Sequence, residues 1–447
     1  MLISAPRVIP GTAGPLAGPA VAVLAPGYVD VTGGVICEVG QGPPPRRPSL
    51  ALDHGVLVPG LVDLQVNGYF GVSFQDAGAG DWAAVSRRLP ETGTTAYLPT
   101  LVTAPLPDLT AAARSAAAII DGLPPGGARV LGLHLEGPFL APARRGAHPA
   151  DAIIPPSPDA VTALMEAAGP ALAVVTLAPE TPGGLDAVAR LAAAGVRVSV
   201  GHSDATAAQV SAAAQAGARM VTHLFNAQSP LRHREPGVVG QALTDPRLTA
   251  GLIADLRHVS AAACLIAFAA APGRIFLVTD AVASAGQPPG RHRLGGDPAE
   301  MRDAPPLGLA GPPPGAPAGQ DPGPNPELPD AVPAPVLADG TLAGSALRLD
   351  QAVANLVAIG VPLATAVCAA TRVPADLIGC PWLGRLAPGA AADLTWLGDD
   401  LRTRATWIAG RQVYAGPSPA TPAPATPPGT PCAGPPGPGA GSPSGPR

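Results

Sequence analysis

At 447 residues, 47% of them hydrophobic and 13% charged, the chain carries enough apolar material for a large core, which excludes a wholly disordered protein. A net charge of −5, scattered rather than clustered basic residues and only 3% aromatics exclude a nucleic-acid surface built from a basic stripe and stacking rings. Pro10, Gly11, Gly14 and Pro15 interrupt the N-terminus too often for a signal segment or membrane helix, so no targeting segment and no membrane partner are expected. All 27 basic residues are arginines, because the chain contains no lysine. The five cysteines Cys37, Cys264, Cys368, Cys380 and Cys432 are widely spaced and form no C-x-x-C pair. They read as reduced thiols of a cytoplasmic protein.

Residues 1–57 contain short β-like pieces, such as 21–24 and 34–39, punctuated by Gly and Pro, and form the first part of a small β-domain. From 58 to 382, eight β-like runs (57–66, 94–102, 129–136, 172–178, 196–201, 220–225, 248–254 and 274–279) alternate with alanine-rich stretches (81–91, 110–122, 184–194, 205–216 and 260–271). That rhythm of βα units predicts a parallel sheet closed into a (β/α)8 barrel, with chemistry at the C-terminal ends of its strands. Several of the helical stretches follow Ser, Asp or Thr, as capped helices do. Two segments, 287–335 inside the barrel and 416–447 at the end, are dominated by Pro, Gly and small residues and are expected to be flexible. Residues 383–415 have the character of the first 57, with 393–397 and 406–408 strand-like. The two ends are expected to build one small β-sandwich domain, with 1–50 and 385–413 sharing a sheet.

The polar residues that end the strands carry the chemistry. In Gly132-Leu133-His134-Leu135-Glu136-Gly137-Pro138, alternation sends His134 and Glu136 to one side of the third strand. His202 ends the fifth strand, with Ser203 and Asp204 available to cap the next helix, and His223 ends the sixth. Two imidazoles and a carboxylate with an open fourth position suit zinc, iron, cobalt or manganese, and such an ion lowers the pKa of a bound water toward neutrality. Asp280 ends the eighth strand in Phe276-Leu277-Val278-Thr279-Asp280, where it could shuttle a proton or equally cap a helix. His258, after the seventh strand, could polarise a substrate carbonyl, and His148 could reach the same pocket. Arg232, His233 and Arg234 follow the sixth strand, and a guanidinium there suits a phosphate.

The order of these motifs resembles the N-acetylglucosamine-6-phosphate deacetylases of the amidohydrolase superfamily, over most of the chain. Val58-Pro59-Gly60-Leu61-Val62-Asp63-Leu64-Gln65-Val66-Asn67-Gly68 looks like their first strand, with Gln65 and Asn67 in place of the superfamily's usual His-x-His pair. Asp339-Gly340-Thr341-Leu342-Ala343-Gly344-Ser345 and the run from Leu383 to Leu394, ending Ala391-Ala392-Asp393-Leu394, look like its late motifs. The resemblance implies Glu136, His202 and His223 as ligands of one divalent metal, zinc first among the candidates. It implies Asp280 as acid-base with His258, and Ala147, His148, Asn226, Ala227, Arg234, His258, Leu342, Ala343 and Gly344 around the sugar. It also implies a homodimer in which the arginine matching Arg234 reaches a phosphate across the interface.

The implied reaction removes acetate from N-acetyl-D-glucosamine 6-phosphate, giving D-glucosamine 6-phosphate. Alternatives are another N-acetylated sugar phosphate, such as N-acetylgalactosamine 6-phosphate, or a non-catalytic barrel that binds a sugar phosphate. The chain departs from the family at Leu256, where relatives tend to have Gly after the Asp, and in the length of the 287–335 insertion. A lysine-bridged metal pair is impossible without lysine.

Overall fold

The eight parallel strands of the barrel are Leu61–Val66, Thr94–Val102, Leu133–Glu136, Leu172–Leu177, Arg197–Val200, Met220–Val221, Thr249–Leu252 and Ile275–Leu277. The computed structural model describes residues 1–11, 22–288, 290–294, 297–302, 332, 334–338, 340–417 and 445. Each barrel strand pairs with the next in chain order. The ring closes just past the eighth strand, where Asp280 N donates to Gln65 O at 3.0 Å and Asn67 N donates to Ala281 O at 2.8 Å. Buried Asp63 reinforces this seam, accepting from Thr279 Oγ1 at 2.6 Å and Thr279 N at 3.2 Å. Desolvation pushes its carboxyl up to about 7.

Helices Ala79–Arg88, Leu106–Gly122, Gly184–Ala193, Ala207–Ala216 and Ala261–Ala270 lie where the alanine-rich stretches predict them. Pro158–Ala168, Gly237–Thr244 and Leu349–Ala358 complete the outer layer. Their apolar residues and strand residues such as Val198, Leu252 and Leu277 belong to one continuous buried core. The cap expected from Ser203 or Asp204 falls instead to Thr206, which makes a reciprocal capping box with Gln209. This leaves Ser203 and Asp204 for other partners.

The run expected as one strand over 57–66 divides at Gly60. Val56–Pro59 pairs antiparallel with Leu394–Leu397, while Leu61–Val66 enters the barrel. Two four-stranded sheets make the small domain. One is built from Leu2–Ala5, Gly27–Thr32, Val35–Gln41 and Leu50–Ala51; the other from Val56–Pro59, Leu394–Leu397, Thr403–Ile408 and Arg411–Ala415. Ile3, Val29, Ile36, Leu57, Leu394 and Trp407 fill a common core.

The expectation that 1–50 and 385–413 share a sheet is therefore corrected: the ends share a core, joined in the backbone by the Val35–Ala391 bridge. The first four strands pair with one another, whereas Leu394–Leu397 takes Val56–Pro59 as its neighbour and the last three strands pair in chain order. Asp393 ties the domain to the barrel, receiving Arg129 Nε and Nη2 at 2.9 and 3.1 Å.

The 287–335 segment is also more ordered at its ends than its composition predicts. Arg291–Leu294, Asp297–Arg302 and Ala334–Leu337 form a three-stranded antiparallel sheet in which Met301, Ala334 and Val336 are buried. The flexibility expected of 303–331 and of most of 416–447 lies outside the described residues. Residues 1–416 form one compact unit.

Candidate metal and substrate site

The functional side chains sit at strand ends because the backbone turns sharply there. After Glu136 the chain passes through Gly137 at φ 91°, where a Cβ would lie 2.1 Å from Thr103 Oγ1. That hydroxyl donates to Glu136 O at 3.0 Å, so glycine admits the contact that holds the strand end. His202, His223 and Asp280 leave their strands at φ 45°, 24° and 51°. Left-handed backbone costs a non-glycine residue roughly 1–2 kcal/mol and persists where surrounding structure enforces it. Three such residues around one barrel mouth mark where the fold spends conformational energy.

Their side chains converge. His202 Nε2 lies 3.2 Å from Glu136 Oε1, His223 Nε2 lies 3.0 Å from the same oxygen, and the two Nε2 atoms are 3.1 Å apart. All three residues are buried. His202 Nδ1 donates to Arg144 O at 2.9 Å, which leaves its Nε2 lone pair turned toward Glu136 and His223. Although burial alone would raise it, Glu136 is held well below the usual carboxylate range by the neighbouring imidazoles of His202 and His223. Burial lowers His223, but Glu136 outweighs it and the imidazole is raised. One carboxylate oxygen and two imidazole nitrogens at mutual distances of 3.0–3.2 Å are a donor set that fits a single divalent ion.

His148, expected beside the sugar, stands at this cluster as well. Its Nε2 is 3.9 Å from Glu136 Oε2, its ring meets that of His202 edge-on with centroids 4.4 Å apart, and one donor atom each of Glu136, His148 and His202 falls within 4.8 Å. Burial pushes His148 down to about 3. It is a neutral imidazole with an unpaired buried Nδ1.

Asp280 faces the cluster from the eighth strand, and burial together with the charge of Glu136 pushes its carboxyl up to about 6. No helix follows it directly, so its oxygens serve the mouth instead. His258 Nδ1 bonds Asp255 Oδ2 at 2.7 Å, and the backbone N–H groups of Arg257 and His258 donate to Asp255 Oδ1. This grip fixes the ring and leaves Nε2 free of Asp255. Leu256, between them, is buried at φ 61°, a conformation glycine adopts without strain.

Asn226 is half-buried, its amide donating to His223 O and Leu224 O at 3.3 Å, and Ala227 sits at φ 49° beside it. Ala147 is exposed on the loop over His202. Leu342 and Gly344 are half-buried and Ala343 is buried. A Cβ on Gly344, at φ 68°, would meet Val282 Cγ1 at 2.5 Å and Asp280 O at 2.8 Å, so the 342–344 turn runs hard against the Asp280 strand end. Arg234 is the outlier. It is exposed, with no side-chain hydrogen bond or ion pair to any described residue.

Two residues read only as replacements for a missing histidine pair are structural parts of the site. Gln65 Nε2 bridges Glu136 Oε1 at 3.0 Å and Asp280 Oδ1 at 3.1 Å, and Asn67 Nδ2 donates to the same Asp280 oxygen at 2.6 Å. The period-two spacing of Asp63, Gln65 and Asn67, along the first strand and just past its end, was the available signal. His134, on the side of Glu136 as alternation predicts, bonds Thr100 Oγ1 at 3.2 Å and Thr176 Oγ1 at 2.8 Å in a polar layer inside the barrel.

The barrel, its paired sheets and a buried Glu-His-His centre facing an aspartate define a metal-site hydrolase of the amidohydrolase type. No family model matches the chain. It is 38% identical over 374 residues to an N-acetylglucosamine-6-phosphate deacetylase of Danio rerio, covering 81% of this chain and 85% of that protein. The Homo sapiens protein of the same name is 38% identical, covering 80% of this chain and 83% of its own length. An N-acetylgalactosamine-6-phosphate deacetylase of Escherichia coli O157:H7 is 36% identical, covering 80% and 88%. The crystal structure of N-acetyl-D-glucosamine-6-phosphate deacetylase from Mycobacterium smegmatis superposes with a TM-score of 0.79 at 33% identity, covering 93% of this chain and all of that one. A mutant of that enzyme, solved in complex with N-acetyl-D-glucosamine-6-phosphate, also gives 0.79, at 32% identity over 92% of this chain and 99% of that one. The chain belongs to the N-acetylglucosamine-6-phosphate deacetylase family. Among the described residues, no helix is long and apolar enough to cross a membrane.

Proposed function

We propose that the protein hydrolyses the acetamide of N-acetyl-D-glucosamine 6-phosphate to D-glucosamine 6-phosphate and acetate. The carrying observation is the convergence of Glu136, His202 and His223 opposite Asp280 in a member of this family. Glu136, His202 and His223 would hold one divalent ion, zinc by preference, which supplies Lewis acidity toward the amide carbonyl and an activated water. Asp280 accepts a proton from the attacking water and returns it to the departing nitrogen, oriented by the amides of Gln65 and Asn67. His258, held by Asp255, donates toward the substrate, and His148, Asn226, Ala227 and the 342–344 turn shape the sugar pocket.

The test is acetate release from a panel of N-acetylated sugars with and without a 6-phosphate. Fastest turnover of the phosphorylated glucosamine, with only weak turnover of unphosphorylated sugars, is expected; no acetate from any phosphorylated sugar overturns the reading. The 36% identity to the E. coli N-acetylgalactosamine-6-phosphate deacetylase favours the galactosamine epimer as the second reading, and the same panel separates the two.

The enzyme is proposed to act as a cytoplasmic homodimer in which Arg234 binds the phosphate in the neighbouring subunit's site. The support is an exposed guanidinium without a partner among the described residues, and four described cysteines that are all free thiols. Arg234→Ala should raise KM for phosphorylated substrate roughly tenfold or more, reflecting the ~1.5–3 kcal/mol of a charge-assisted hydrogen bond, and leave unphosphorylated sugar unaffected. Equal weakening of both substrates excludes the phosphate role.

A further inference from the structure

We infer that Glu180, just beyond the fourth strand, is a positioning residue that locks the turn carrying His202 and thereby sets the affinity of the metal centre. The inference rests on the metal reading above, and its residue lies outside the set that the chain's motifs single out.

His202 leaves its strand in left-handed backbone, so its imidazole is correctly aimed only while something outside the turn holds it. The two residues after it are held by one carboxylate. Glu180 Oε2 accepts from Ser203 Oγ at 2.7 Å, and Glu180 Oε1 accepts from Asp204 N at 2.6 Å. Both are charge-assisted, the stronger kind of hydrogen bond. Ser203, with no exposed surface, passes the constraint on, because its Oγ also receives Ala205 N at 3.1 Å and its own N–H donates to Ala227 O at 3.1 Å.

The rest of the cage is neutral or peripheral. His202 O receives Ala141 N at 2.9 Å, and His202 Nδ1 donates to Arg144 O, whose guanidinium pairs with Asp204 at 2.7 Å on the exposed side. A surface pair of that kind contributes little. Glu180 is thus the charged group that spans from the fourth strand to the fifth and fixes the His202 turn in two places. It does not serve as a helix cap, since Thr206 caps the following helix itself.

The experiment measures zinc affinity of metal-stripped protein by competition with a chromophoric chelator, alongside the melting temperature of the metal-free form. Glu180→Ala should weaken zinc binding about 10- to 100-fold, the range found for residues that orient ligands from behind. Glu180→Gln keeps an acceptor for Asp204 N and should recover most of the loss. Wild-type affinity in folded Glu180→Ala overturns the inference, as does a lowered melting temperature with unchanged affinity, which would mark a purely structural role. If Glu180→Ala does not fold, Ser203→Ala decides. It removes one of the two bonds, so a several-fold weaker affinity supports the inference and an unchanged one overturns it. Failure of the wild-type protein to bind zinc would instead overturn the metal reading itself, and this inference with it.

Discussion

His202→Ala should lose bound metal and deacetylase activity together. The substitution removes one of three donors packed within 3.0–3.2 Å of each other and leaves Glu136 and His223 as a two-donor remnant. Catalytic zinc sites of this type use three protein ligands and an open position. Changing a residue that merely orients a ligand already costs about 10- to 100-fold in affinity or activity, so deleting a ligand should exceed that range. Elemental analysis and acetate release on the same preparation check the result. The melting temperature of the metal-free protein, measured alongside, should fall modestly, because alanine also removes the His202 Nδ1–Arg144 O hydrogen bond. Full metal content with normal turnover would remove His202 from the ligand set.

Asp280→Asn should separate binding from chemistry. The amides of Gln65 and Asn67 both donate to Asp280 Oδ1, at 3.1 and 2.6 Å. An asparagine can present its oxygen to them and keep the side chain in place. What then faces the pocket is an NH2 group, which can donate a hydrogen bond but cannot take a proton from water. An amide nitrogen leaves poorly unless protonated, so attack without this shuttle gives an adduct that reverts. Metal content and KM should stay close to wild type while kcat falls by roughly 10²-fold or more, the range for loss of a general acid-base. Near-normal kcat in metal-loaded Asp280→Asn protein would move the proton to another group. His148, 3.9 Å from Glu136, and His258, clamped by Asp255, are then the groups to vary.

How much of this was legible in the chain depended on the range of the interaction. The barrel was readable because each βα unit is local: apolar runs of strand length and alanine-rich helical stretches recur, and the helices formed where they were expected. Glu136, His202, His223 and Asp280 were readable for the same reason, each being a strongly polar residue at the close of a largely apolar run that must end at the barrel mouth. Pairing between distant segments was less legible. The expected shared sheet of the two ends became two sheets over one core, since the C-terminal strands pair with Val56–Pro59 instead, a long-range choice of partner that no local pattern encodes.

By itself, then, the sequence determined the alternation of strands and helices, the polar residues that end the third, fifth, sixth and eighth strands, and the exclusion of a lysine-bridged metal pair. Only the tertiary structure decided which donors meet. It brought Gln65 between Glu136 and Asp280, residues 71 and 215 positions away in the chain, and it set His148 beside the Glu-His-His cluster. It also gave Glu180 two partners 23 and 24 residues further along the chain. The physical reason is that hydrogen bonds and ion coordination act over about 3 Å in space. Closing the barrel brings side chains from the ends of the first, third, fifth, sixth and eighth strands within that reach of a neighbour, and no periodicity along a single strand encodes the distance between two of them.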